Sequence, residues 1–321
     1  MIYKRLPSVG KAAVDRLRYS AGLLPRVPPD LEPGRPAVVI SVDFELAWAL
    51  RYDRGVANPL ERAIEAARRT RTHVPLLLDL FDHYKVPATW ATVGHLFLER
   101  CECRGGRAHP DMIRPSFFEN ENWRYAHGDW YDDDPCSSWS EAPEWYAPDL
   151  IRDILSRPVQ HEVACHTFSH IPCNQEHCPP DLLRAELQEC QRLASEWDLV
   201  LRSFVFPANL AGNLAVLKEL GFQNYRFHGY YHLDIPKRDE WGLLRLPGGI
   251  FLERPSGFPV KAWVNSLHRC VARAIQTGTL LHLWLHPSCS RENVTQVLPA
   301  LLDDLVSRRE VVPILRMMDL S

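Results

Sequence analysis

Two acids stand two residues apart at the end of an apolar run, Ile40-Ser41-Val42-Asp43-Phe44-Glu45. Residues i and i+2 of a strand share a face, so Asp43 and Glu45 would point together. Carboxylates that close relieve their repulsion with a shared proton or a cation. The plainer reading is a solvated strand end with two ordinary acids. A second strand-like run, 161–165, empties into His166-Thr167-Phe168-Ser169-His170. Two histidines four apart reach one ion if the chain turns into a helical arc, and a carboxylate oxygen completes a facial set with open positions for water. Many His-x3-His pairs are only surface histidines; this one gains weight by following a strand, as Asp43 and Glu45 do. A third run, Thr279-Leu280-Leu281-His282-Leu283-Trp284-Leu285-His286-Pro287, puts His282, Trp284 and His286 on one face. His286 is nearest the C-terminal end, where Pro287 stops the strand, and is the candidate general acid. His282, one layer deeper, reads as a satisfied core histidine.

The elements that must carry these groups alternate. Residues 36–42 form a nearly continuous apolar run, as a buried parallel strand would. A helical pattern follows over 59–84, with a break expected near Pro75, and a strand over 86–93. Helices at 148–156, 180–197, 211–220, 260–276 and 292–307 then alternate with strands at 161–165, 203–206, 222–227, 249–252, 279–286 and 311–315. Seven or eight such units in one run predict an α/β fold, a distorted barrel of the TIM type, whose C-terminal strand ends carry the chemistry. A doubly wound open sheet is the alternative, but no glycine-rich phosphate loop follows the first strand.

Residues 101–146 break the alternation and carry Trp123, Trp130, Trp139 and Trp145. So long an aperiodic stretch is an insertion or a functional loop, its tryptophans either platforms for a sugar ring or a mini-core. Residues 1–35 form an arm with seven basic residues against three acidic ones. A short helix is expected from about Lys11 to Ala21. The arm suits either peripheral contact with an anionic membrane surface or loose packing on the barrel of residues 36–321.

Among 321 residues, 46% are hydrophobic and 24% charged, with a net charge of −3. That composition excludes a disordered or fibrous chain and offers no general electrostatic reason to bind nucleic acid. No apolar run approaches the roughly 18 residues needed to span a bilayer. The nine cysteines are an odd set, and the first residues lack a secretory h-region, so the expectation is a reduced, cytoplasmic protein. Cys101, Cys103, Cys173, His177 and Cys178 raise the possibility of a second, structural zinc site, but Cys-x-Cys spacing is poor for it and free thiols are the preferred reading.

The order of carboxylate strand, His-Thr-x-x-His, Phe-Pro strand end and Leu-x-Leu-His strand resembles the polysaccharide deacetylase family (NodB homology, carbohydrate esterase family four), over roughly residues 37–318. Residues 88–94 (Ala-Thr-Trp-Ala-Thr-Val-Gly) and 162–170 are similar to the family's second strand and metal motif. The resemblance implies a distorted (β/α) barrel and metal-dependent removal of an acyl group, usually acetyl from an amino sugar. It implies Asp43 as general base, Glu45, His166 and His170 as ligands of one divalent metal, zinc by default, and His286 as general acid. The family more often has Asp directly after the base, so Asp-x-Glu resembles a variant branch. The family's Arg before the Phe-Pro strand end is missing from Phe204-Val205-Phe206-Pro207-Ala208. The Ala208 amide could still stabilise an oxyanion, and Arg226 or Arg245 could supply the absent charge. Trp90, Trp284 and Arg226 are further candidates to contact substrate, and Asp239-Glu240-Trp241 is a weak echo of a fourth motif. The implied partner is an acylated saccharide or glycoconjugate, a precursor in cell-envelope polysaccharide biosynthesis if the chain stays inside the cell. Deformylation or cyclic-amide hydrolysis on the same scaffold, or a non-catalytic carbohydrate-binding protein, are the alternatives.

Overall fold

The computed structural model describes residues 14, 17–19 and 24–321. In chain order these form β1 (Ala37–Phe44), α1 (Pro59–Tyr84), β2 (Thr89–Thr92), β3 (Phe118–Glu119), β4 (Arg124–Tyr125), α2 (Pro148–Ser156), β5 (Glu162–Cys165), α3 (Pro180–Ser195), β6 (Ser203–Val205), α4 (Leu214–Glu219) and β7 (Asn224–Phe227). There follow β8 (Leu233–Asp234), β9 (Lys237–Arg238), β10 (Leu244–Pro247), β11 (Ile250–Phe251), α5 (Val260–Thr277), β12 (Leu280–Leu285), α6 (Leu298–Ser307) and β13 (Ile314–Leu315). The main sheet runs β11-β12-β1-β2-β5-β6-β7-β10-β9. From β12 to β10 every neighbour is parallel; β8 and β9 add short antiparallel pairs that the alternation did not reveal. Among the described residues β10 and β12 lie side by side without strand pairing. The sheet therefore curls into the distorted barrel that the alternation predicts, left unclosed by hydrogen bonds.

Strand parity sorts the side chains. Val38, Ile40, Val42 and Phe44 join the large core between sheet and helices, whereas Ala37 and Val39 join Ala91, Val205, Leu244, Leu246 and Leu280 in a smaller core inside the barrel. Met317 plugs that inner core from below, its amide donating to Thr89 Oγ1 at 2.9 Å. Farther up, the inward positions turn polar, which prepares the mouth. The turn from β10 to β11 crosses so close to β12 that a Cβ on Gly249 (φ 59°) would stand 1.7 Å from the His282 carbonyl oxygen, a place only glycine can occupy.

α1 does not break at Pro75. Proline removes one backbone hydrogen bond, but Ala63, Ala66, Ala67, Thr70 and Val74 before it, and Leu77, Leu78 and Phe81 after it, bury one continuous face. That packing outweighs the local loss. The arm and its expected helix lie largely outside the described residues; its described part packs on the barrel, with Tyr19 edge-on to Trp263 at 4.8 Å and Leu24 buried. No helix among the described residues is long and apolar enough to cross a membrane.

The expectation of fully reduced cysteines is corrected. Cys103 and Cys136 form a disulfide, with Cα atoms 5.8 Å apart, inside the range a bridge needs. They meet because the aperiodic insertion folds back on itself, which a count of cysteines cannot reveal. Cys173 and Cys178 are buried free thiols, and no shared site forms with Cys101 and Cys103. Within the insertion Trp130 and Trp145 are buried. Trp145 packs edge-on to Trp48 at 5.3 Å, and Trp130 stacks on Tyr52 at 4.2 Å with the Arg51 guanidinium over both Tyr52 and Trp130. For these two tryptophans the mini-core reading holds.

Candidate active site

β1 delivers Ser41 and Asp43 to the barrel interior, and the chain leaves the strand through Glu45 into a short 3-10 turn. β5 ends at Cys165, and His166 and His170 follow in a tight arc in which Thr167 (φ 58°) and His170 (φ 60°) take left-handed conformations. Such backbone is costly for non-glycine residues and clusters at working sites. The arc brings His166 Nε2 to 3.0 Å and His170 Nε2 to 3.1 Å from the same Glu45 oxygen, Oε1. All three side chains are nearly buried. His166 Nδ1 lies 2.7 Å from the Val205 carbonyl, which can only accept, so the ring proton sits on Nδ1 and the Nε2 lone pair faces the carboxylate. Burial pushes His170 down from the ordinary imidazole range, which favours its neutral form. Burial would raise the Glu45 carboxyl, but His286, His170 and His166 outweigh it and hold it well below the carboxylate range. Two ring nitrogens converging on one carboxylate oxygen, the His166 one with its lone pair, make a site that a divalent cation would fit, and these three residues form a group able to hold one.

Asp43 stands beside this trio. Burial alone would raise its pKa, but Arg226 reverses the sign and lowers it. The guanidinium grips both carboxylate oxygens at 2.6 Å, fork to fork. Arg226 also donates to Ser41 Oγ at 3.1 Å, and Ser41 Oγ meets His282 Nε2 at 2.8 Å. His282 is buried as expected but partnered at Nε2 alone, its Nδ1 having no hydrogen-bond partner among the described residues, and it is pushed down to about 3 chiefly by burial and then by Arg226. His286, at the end of β12, keeps 30% of its side chain exposed and places Nε2 3.6 Å from Glu45 and 3.9 Å from Asp43. Burial acts to lower its pKa, but the Glu45 and Asp43 carboxylates outweigh it and hold the ring up to about 9. A base candidate, an acid candidate and a ligand trio therefore share one mouth.

A family-level sequence profile described as polysaccharide deacetylase matches residues 46–227, more than half of the chain. The chain belongs to the polysaccharide deacetylase family. No curated protein sequence matches it. Solved structures resemble it in fold at low identity. One from Pseudomonas aeruginosa PAO1, described as a polysaccharide deacetylase, has a TM-score of 0.62 at 14% identity, covering 88% of this chain and 89% of that one. Another so described, from Mycobacterium smegmatis, has a TM-score of 0.60 at 16% identity, covering 90% and 93%. The PuuE allantoinase has a TM-score of 0.60 at 14% identity, covering 92% and 96%.

The profile match starts just after Glu45 and stops at Phe227, so the deacetylase assignment does not itself reach Asp43, Glu45 or His286; their place in the site rests on geometry. The geometry also sorts the remaining candidates. Arg226 lies inward on β7, 2% exposed, with both Nη atoms on Asp43, the place of a residue that positions Asp43. Arg245 has the opposite parity to Leu244 and Leu246 of the inner core and reaches over Phe227 instead. Trp90 is corrected: it sits on the helix side of β2, fully buried and edge-on to Phe44 and Phe81, because its parity matches Val42 and not Asp43. Trp284 does line the mouth, stacked on Phe251 at 4.3 Å and 5.6 Å from His286. The Asp239–Trp241 echo is a surface turn between β9 and β10, with the Asp239 carboxylate accepting from the Trp241 and Leu243 amides. Ala208 (φ 53°, ψ 16°) lies in the turn after β6. With His170, Tyr52, Phe118, Trp123 and Trp130 it lines a recess of about 20 Å³. Of its aromatic side the sequence offers Trp123 and Trp130 as candidate platforms; Tyr52 and Phe118 carry no signal because they stand outside any periodic element.

Proposed function

We propose that this deacetylase-family chain is a zinc-dependent hydrolase that removes a short N-acyl group, acetyl above all, from an amino-sugar-containing saccharide or glycoconjugate. The observation that carries the reading is the convergence of the Glu45, His166 and His170 trio with Asp43 and His286 at one barrel mouth. Two imidazoles and a carboxylate suit zinc. A divalent cation held by them supplies Lewis acidity toward an acyl carbonyl and lowers the pKa of water.

The chain's own groups supply the rest. Asp43, kept ionised and aimed by Arg226, takes a proton from the water whose oxygen attacks the acyl carbon. The Ala208 N–H offers a hydrogen bond to the oxyanion that develops. His286 then gives its proton to the nitrogen as the C–N bond breaks, releasing a carboxylic acid and a free amine. Asp43 and His286 stand near enough for the first proton to be returned, through one water, to the second group. The recess beside His170 and Ala208 favours a short acyl chain, and Trp284, whose buried indole N–H has no protein partner, is offered to the sugar.

The test is a panel of N-acetylated, O-acetylated and N-formylated amino sugars and cyclic amides, assayed with wild type and Asp43→Asn. Release of acetate from N-acetylated sugars, lost in the variant, is expected. Turnover confined to formylated or cyclic substrates would replace the reading with another C–N hydrolase, and saccharide binding without turnover in either protein would leave a binding protein.

A further inference from the structure

A second cluster of metal-ligating side chains lies outside the site just described. His95 comes from the 3-10 turn after β2, and Cys101, His109 and Asp134 come from the insertion; their ligand atoms all lie within 4.8 Å of one another. His95 and Asp134 have fully buried side chains, and His109 keeps only 13% of its side chain exposed. His95 Nε2 and His109 Nε2 approach the same Asp134 oxygen at 3.0 and 2.8 Å and each other at 3.0 Å, while Cys101 Sγ stands 3.2 Å from that oxygen. His95 Nδ1 faces the Trp145 carbonyl at 3.2 Å. The ring proton therefore sits on Nδ1, and an Nε2 lone pair points at a buried carboxylate. The same motif holds at Glu45, where His166 is fixed by Val205. Asp134 is itself oriented, its other oxygen accepting from Tyr146 Oη and the Cys136 amide, each at 2.9 Å.

We propose that His95, Cys101, His109 and Asp134 bind a second divalent cation of the zinc class, as a structural site that ties the insertion to the barrel mouth. Two imidazoles, a thiolate and a carboxylate make the four donors of a closed tetrahedral site, whereas a catalytic site keeps three protein ligands and an open position. Such a cation resolves the contact between the His95 lone pair and the Asp134 oxygen and displaces the Cys101 proton. It also fixes one wall of the active-site recess, since the insertion carries Phe118, Trp123 and Trp130, and the Trp130 indole donates to Ser169 Oγ at 2.8 Å, next to His170.

The deciding experiment measures zinc in full-length wild type, His166→Ala/His170→Ala and Cys101→Ser, and records cobalt spectra of the same proteins. The expected result is two equivalents in wild type and one in each variant. A thiolate-to-cobalt charge-transfer band should persist in the histidine double variant and vanish in Cys101→Ser, because the first site has no thiolate. His109→Ala should lose the same band with Cys101 intact. One equivalent in wild type that disappears from the double variant would overturn the second site and leave the proposed hydrolase standing. One equivalent that survives in the double variant and is lost in Cys101→Ser would uphold the second site and remove the metal from the hydrolase reading. No metal in any of the proteins, even after cobalt loading, would overturn both.

Discussion

Two clusters in this molecule use the same device and differ in what surrounds it. At the mouth, His166 and His170 bring Nε2 atoms to one oxygen of Glu45; in the insertion, His95 and His109 do so at one oxygen of Asp134. In each, a backbone carbonyl fixes the tautomer of the first histidine. The mouth cluster stops at three donors and has half-open His286 and ionised Asp43 beside it, so a substrate could reach it. The insertion cluster adds Cys101 and is closed over by Tyr146 and Trp145. The fourth donor and the lid, rather than the histidines, separate a site that can do chemistry from one that can only hold structure.

The sharpest break in this comparison would come from exchanging the losses. His166→Ala/His170→Ala should lower deacylation by at least about 10³-fold, since a Lewis acid contributes several kcal/mol to the transition state, and should lower the thermal midpoint as well, because a bound cation is lost. Cys101→Ser should spare most of the activity. It should cost about 3–4 kcal/mol of stability, the amount a cation at 100 to 1,000 times its Kd contributes, and lower activity only several-fold. Calorimetry beside steady-state kinetics reads both. Equal losses of activity and stability in the two variants would mean the clusters do not divide the work.

Next in size is the Asp43–Arg226 pair, which has no counterpart in the insertion. Arg226→Met leaves a buried carboxylate unpaired and should destabilise the fold by about 3–5 kcal/mol. Arg226→Lys keeps charge but loses the two-pronged grip, so kcat should fall by about tenfold with KM little changed. The folded pKa of Asp43 is depressed. Its stabilisation is therefore full above the unfolded value of about 3.9 and lost as pH falls through the folded value. The acid-unfolding midpoint of Arg226→Lys should lie at higher pH than that of wild type; an unchanged midpoint would show that the pair is not coupled to folding.

A smaller effect follows from His286. Its pKa is raised to about 9, so in metal-free protein its contribution to stability is full below about 6.5 and lost as pH rises through about 9. Loading a cation on Glu45 competes for the carboxylate that holds the proton and should flatten that slope, as should His286→Asn. Urea unfolding between these pH values, with and without zinc, measures it, and zinc without effect on the slope would separate His286 from the metal site. Smallest of all, Trp90→Phe should leave kcat and KM within about twofold while lowering stability through the cavity it opens behind the barrel wall.

Much of the barrel was legible because alternation is a local property. The parallel strands that form its wall carry short apolar runs, and parity put Asp43 with Glu45, and His282 with Trp284 and His286, on shared faces. Trp90 was misplaced although the same rule applied, because parity on β2 had no internal mark of which face was inward until its pairing with β1 set it. Pro75 misled because a local break signal competes with a buried face on both sides of it. Arg226 was legible as a replacement charge or a substrate contact, but not as the partner of Asp43, which lies 183 positions away.

The residue types at strand ends, the alternation of elements and the absence of long apolar runs are properties of the sequence alone. They determined the fold class and, through short motifs, the family resemblance; the grouping of Glu45 with His166 and His170, 121 and 125 positions away, came only as what that resemblance implies. The tertiary structure decided which arginine holds Asp43, which tryptophans face the mouth, that Cys103 pairs with Cys136, and that His95, Cys101, His109 and Asp134 converge. Those contacts join segments with no shared periodicity, and only the closing of the sheet and the folding back of the insertion bring them within reach.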